Sequence, residues 1–111
     1  MLVEAFRLFG SPARSRILLT VGLLEATYPR EIARVAETPL VSVQRIVNDL
    51  ERQSVLASRL RGNQREVRLN PRYFAISELR ALLSRLALTE PTLLRSVERL
   101  RRRPRRAGKE S

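Results

Sequence analysis

Residues 29–53 read PREIARVAETPLVSVQRIVNDLERQ, and the fold turns on this stretch. Proline suits the first turn of a helix, where its missing N–H costs nothing. From Pro29 onward Ile32, Ala33 and Ala36 recur on one face, which predicts a two-turn helix over Pro29 to Glu37. Thr38-Pro39 then marks a tight turn, and the helix expected from Pro39 to Gln53 buries Val43, Ile46, Val47 and Leu50. A period of about 3.6 residues points Val41, Arg45, Asn48 and Arg52 the opposite way. Two short helices joined by a tight turn make a helix-turn-helix.

On the amino-terminal side, Pro12 to about Ala26 reads as a helix whose Ile17, Leu18, Val21 and Leu24 form a core stripe. A shorter helix precedes it, with Leu2, Phe6 and Phe9 sharing one face and Gly10 ending it. A capping side chain followed by proline occurs at Ser11-Pro12, Thr38-Pro39 and Asn70-Pro71, and each pair predicts a helix start. On the carboxy-terminal side the period changes to two. Val55 to Leu60 and Arg65 to Leu69 are β-prone runs joined around Gly62-Asn63, a pair suited to a two-residue hairpin turn. Leu56, Ser58 and Leu60 face one side and Ala57, Arg59 and Arg61 the other, while Arg65, Val67 and Leu69 alternate with Glu66 and Arg68. Arg61, Asn63, Gln64 and Arg65 ring the tip.

Helix returns at Ile76, with Leu79, Leu82, Leu83 and Leu86 along its stripe, and a further helix from about Glu90 holds Leu93, Leu94, Val97 and Leu100. So much apolar surface on a small chain is expected to cover a second copy. The dimer set is therefore Leu2, Phe6, Phe9, Leu79, Leu82, Leu83, Leu86, Leu93, Leu94 and Val97. Tyr28, Tyr73 and Phe74 stand beside helix boundaries and are assigned to packing. The fold class is mainly α with a small β-hairpin wing, a winged helix-turn-helix over residues 1–100. Residues 101–111 read as a basic, disordered tail.

Composition narrows the chemistry. The 111 residues hold no cysteine and no histidine, which removes disulfides, thiolates, imidazole bases and nearly all transition-metal sites. Acidic residues are scattered (Glu25, Glu31, Glu37, Asp49, Glu66, Glu78) without paired carboxylates or a Gly-rich phosphate loop. No enzyme activity, cofactor or metal is expected. No run approaches the roughly 20 apolar residues of a membrane span, and Met1 to Phe9 is not a secretory leader, so the expected location is cytoplasmic. A net charge of +11 favours polyanions. Yet Arg99 to Ser111 holds seven basic residues and one acid, more than half of that excess. Nearly all the cations are arginine, which suits bidentate phosphate or guanine contacts and equally fits a coding bias.

The order of elements resembles the ArsR-like family of winged-helix transcriptional regulators over about Leu8 to Leu88. Ser11-Pro12-Ala13-Arg14-Ser15-Arg16-Ile17-Leu18 is similar to the family's opening motif, and Arg30-Glu31-Ile32-Ala33 to its first helix-turn-helix helix. Thr38 to Leu50 falls on the recognition helix without a gap, and Arg61-Gly62-Asn63-Gln64-Arg65-Glu66-Val67-Arg68-Leu69-Asn70 resembles the wing. Where the family has glycine between recognition helix and wing, this chain has Ser54, which leaves either a left-handed cap or another turn at that corner. The cysteines and histidines through which relatives sense metals or oxidants have no counterparts.

The resemblance and the pattern together imply sequence-specific binding of double-stranded DNA by a homodimeric regulator, with repression as the expected mode. Val41, Ser42, Gln44, Arg45 and Asn48 stand where recognition-helix residues reach bases. Gln44 suits adenine, Arg45 guanine and Val41 a thymine methyl. Arg52, Arg59, Arg61, Asn63, Gln64 and Arg65 are the expected backbone and wing contacts. The same polar face also fits a solvated helix surface, with Asp49 pairing Arg45 or Arg52. Arginines on an exposed hairpin also guard against edge-to-edge aggregation. The alternative function is a winged-helix protein-interaction module with nonspecific nucleic-acid affinity.

Overall fold

The computed structural model describes residues 8–102. The helix expected around Leu2 and Phe6, and the tail from residue 103 on, lie outside the described residues.

Helix α1 (Pro12–Leu24) begins as the sequence predicts: Ser11 is extended, its hydroxyl accepts from the Arg14 N–H at 3.1 Å, and Pro12 fills the first turn. It buries Ser15 and every residue from Ile17 to Val21, more than one stripe, because it is the central helix against which α2, β2, α4 and α5 pack. The Thr20 hydroxyl is satisfied within the helix by donating to the Arg16 carbonyl at 2.7 Å. The helix stops short of Ala26, since Glu25 adopts φ +71° and returns its N–H to the Val21 carbonyl.

Helix α2 (Pro29–Val35) follows and buries Ile32 and Val35. It ends before Glu37, which takes φ +51°. Helix α3 (Leu40–Arg52) buries Val43, Ile46, Val47 and Leu50, the four positions expected. Pro39 is its cap and not its first helical residue: with ψ 143° it is extended, and the Thr38 hydroxyl donates back to the Ala36 carbonyl at 3.0 Å. At the corner after α3, Ser54 takes φ +66°, so the left-handed turn is kept without glycine. A non-glycine residue there costs roughly 1–2 kcal/mol. The Asn70 amide donating to the Ser54 carbonyl at 3.0 Å offsets part of it.

Strands β1 (Leu56–Arg61) and β2 (Gln64–Leu69) pair antiparallel from Leu56 opposite Leu69 to Arg61 opposite Gln64. Only Gly62 and Asn63 connect them, and Gly62 sits at φ +65°, as the two-residue turn requires. β2 is also bridged on its other side. Thr27 and Val67 exchange both backbone hydrogen bonds, at 2.9 and 2.7 Å.

Asn70-Pro71 does not start a helix. The Asn70 side chain accepts from the Arg72 N–H and its carbonyl from the Tyr73 N–H, each at 3.0 Å, so the pair opens a turn. Helix α4 (Ile76–Ala87) begins only after it, and α5 (Pro91–Arg102) completes the described chain, running past residue 100. Its Arg101 guanidinium donates to the Leu23 carbonyl at the end of α1. One apolar core draws side chains from all seven elements.

That core claims much of the apolar set assigned to a second copy. Leu83, Leu93 and Val97 are buried within the chain itself, and Phe9, Leu79, Leu86 and Leu94 are half-buried against the same core. Leu83 is tightly held because α4 crosses α1 at Gly22, where a Cβ would lie 3.0 Å from Leu83 Cδ1. Leu82, 40% exposed, is the member of the α4–α5 set left open to solvent. Leu88 and Leu8 are exposed as well. Tyr28 and Tyr73 are half-buried, but Phe74 is 90% exposed, which corrects its assignment to packing.

Candidate nucleic-acid interface

Burying Val43, Ile46, Val47 and Leu50 fixes the rotation of α3 and turns Val41, Gln44, Arg45, Asn48 and Arg52 outward. All five are exposed, and Val41, although apolar, is 72% exposed. Ser42 is half-buried in the first turn. Among the described residues, neither Gln44 nor Arg45 makes a side-chain hydrogen bond or ion pair. Their donors and acceptors face solvent.

Asp49 pairs with Arg52, one of the two partners expected, and more closely with Arg14, which lies outside the expected pair. Arg14, from α1, donates to its carboxylate at 2.5 Å, while Arg52 stands 3.4 Å away and Gln53 donates at 3.0 Å. The Arg14 hydrogen bond leads in holding the Asp49 carboxyl below the ordinary aspartate range. The contact fastens α3 to α1 and leaves Arg45 unclaimed.

In the hairpin the five arginine, asparagine and glutamine candidates separate by strand face. Arg59 and Arg61 flank the buried Glu66 at 2.9 and 3.6 Å, so each is partly neutralised while remaining exposed. Asn63 and Gln64 are exposed at the turn. Arg65 lies on the opposite face with Ser58 and Val67 and is directed at α3. Its guanidinium bonds Asn48 Oδ1 at 2.8 Å, Glu51 Oε1 at 2.9 Å and Ser58 Oγ at 3.2 Å. It is 28% exposed and is held within the structure, unlike Arg61. Of the arginines on α3 and the hairpin, Arg45 and Arg68 are the ones without an ion pair among the described residues.

Three residues that the sequence reading left unassigned therefore shape this surface: Arg14, Glu51 and Thr27. Glu90, just before α5, is buried, its Oε2 lacks a hydrogen-bond partner among the described residues, and burial raises its carboxyl above the ordinary glutamate range against the opposing charge of Arg16. Among the described residues no group of three His, Cys, Asp or Glu side chains is placed to hold a metal ion, and no helix is long and apolar enough to cross a membrane. Compared with family models, curated proteins and solved structures, the chain matches none.

Proposed function

We propose that the chain is a winged helix-turn-helix regulator of the ArsR-like kind that binds double-stranded DNA as a homodimer and represses transcription in the cytoplasm. The observation that supports this best is the outward face of α3. Val41, Gln44 and Arg45 are exposed, while the inward face of the same helix is fully engaged in the core. An exposed valine beside an uncommitted glutamine and arginine offers a methyl contact, an adenine partner and a guanine partner within one helical turn and a half. α2 and α3 are the helix-turn-helix in this reading, α3 the recognition helix and the hairpin the wing, with Arg61 and Asn63 at its tip. The second copy docks on Leu82 and Leu88, the apolar side chains left uncovered on and just after α4.

Selection from random duplex DNA at two salt concentrations tests the reading. A pseudo-palindromic motif is expected, with half-sites about one helical turn apart. Alanine at Gln44 and Arg45 together is expected to erase preference at one or two positions per half-site, at about 1–3 kcal/mol each, while salt-sensitive binding persists. Arg61→Ala is expected to weaken binding to all sequences and lower the salt slope by about 1. Full discrimination by the double variant would refute the assignment of α3.

Phe74 favours a second reading, a protein-interaction module, because an aromatic ring 90% exposed on a turn is a ready anchor for a protein surface. In that case the selection yields no motif, and Phe74→Ala abolishes capture of the partner.

A further inference from the structure

We propose that Arg65 is a positioning residue that fixes the direction of the Asn48 side-chain amide, so that Asn48 presents hydrogen-bond donors to a base and rejects cytosine. The inference rests on the DNA reading above and narrows what one position of the recognition surface selects.

The argument begins with donor chemistry. A guanidinium has N–H groups and no acceptor, so the Asn48 atom that meets it must be the carbonyl oxygen. Arg65 Nη2 donates to that oxygen at 2.8 Å. Arg65 is itself held from two further directions: Nη2 also donates to Glu51 Oε1 at 2.9 Å, and Nε donates to Ser58 Oγ at 3.2 Å. The Ser58 hydroxyl in turn donates to the other Glu51 oxygen. Asn48 and Glu51 stand one turn apart on α3, and Ser58 and Arg65 belong to the hairpin. The network therefore joins the two elements and leaves the guanidinium little freedom to turn.

An unrestrained asparagine amide flips between two faces and accepts as readily as it donates. With Oδ1 committed to Arg65, Nδ2 and its two N–H groups remain for an outside partner, and Asn48 is exposed on the same face as Gln44 and Arg45. In the major groove guanine, adenine and thymine each offer an acceptor. Cytosine offers only the N4 donor. A pinned Asn48 thus discriminates against cytosine at the base it meets, and the residue enforcing the choice is Arg65 on the hairpin, with no base contact of its own.

Motif selection with Asn48→Ala locates the base pair that depends on Asn48. At that pair, Arg65→Ala is expected to relax cytosine exclusion by about tenfold, the loss of one good contact. It should leave other positions unchanged and add nothing in the double variant, since the two residues act as one unit. Asn48→Asp keeps the Arg65 pair but replaces the donor by an acceptor, and is expected to turn preference toward cytosine. Thermal unfolding of each variant monitors folding, and Asn48→Asp decides the matter where Arg65→Ala does not fold. Unaltered preference in Arg65→Ala, uniform additive weakening across all sequences, or no shift toward cytosine in Asn48→Asp would each overturn the assignment. Absence of any motif for the unaltered protein would instead overturn the DNA reading, and this assignment with it.

Discussion

Leu83 and Leu82 are adjacent in sequence, yet one is 2% and the other 40% exposed, and truncating each in turn weighs core against surface directly. Leu83→Ala removes Cγ and both Cδ atoms from the place where α4 crosses α1, and buried leucine truncations cost roughly 2–5 kcal/mol. Taking about 3 kcal/mol, the unfolding midpoint of a domain this size falls by roughly 12–24 °C. Leu82→Ala is expected to cost well under half as much. The site also carries its own control. A Cβ on Gly22 would sit 3.0 Å from Leu83 Cδ1 but 3.5 Å from Leu83 Cβ, the latter an ordinary contact that survives truncation. In the Leu83→Ala background, Gly22→Ala therefore gains about 1 kcal/mol of helix propensity plus about 0.8 kcal/mol for a buried methyl. In the unaltered protein, crowding against Leu83 consumes much of that gain. Calorimetric or circular-dichroism melts at two protein concentrations separate folding from association. Equal effects of Gly22→Ala in both backgrounds, or a larger loss for Leu82→Ala than for Leu83→Ala, would refute the packing of α4 on α1.

Two carboxylates give opposite pH signatures. The Asp49 carboxyl is held low by Arg14, so its contribution is present above the ordinary aspartate value and is lost as pH falls through the depressed one. Asn at Asp49 is accordingly expected to lower the melting temperature near neutrality, with the gap closing in acid; a constant gap from pH 7 to pH 3 would count against the ion pair. Glu90 is raised by burial, so it favours the fold while protonated, and that advantage is lost as pH rises through the raised value. Glu90→Gln is expected to melt a few degrees higher than the unaltered protein at pH 7.5 and level with it in acid. A lower melting temperature at pH 7.5 would mean that Arg16 outweighs burial.

Local periodicity made the elements legible. Val43, Ile46, Val47 and Leu50 recur at helical spacing, and Gly62-Asn63 between two alternating runs defines a hairpin whose turn has two residues. Prolines were ambiguous, because a cap followed by proline marks a helix start at Pro12, a cap position at Pro39 and a turn at Pro71. What escaped the sequence is set by tertiary neighbours. Arg14 and Asp49 are 35 residues apart, and no spacing rule links them. The tip arginines looked alike, although alternation already put Arg65 in the same row as Val67 and Leu69, facing the body, and Arg61 in the other. The apolar stripe of α4 was visible, but whether it meets a second copy or α1 depends on Gly22, whose missing side chain makes the close approach.

The bridge between Thr27 and Val67 gives the hairpin a fulcrum. Three residues separate Val67 from the turn at Asn63, a lever arm of four steps, roughly 13 Å at about 3.3 Å per residue. So short an arm pivoting on two main-chain hydrogen bonds bends at its tip without swinging from its base. The reach of Arg61 and Asn63 is thereby set by the body of the molecule, and substitutions at the tip alter what the hairpin touches while leaving where it points unchanged.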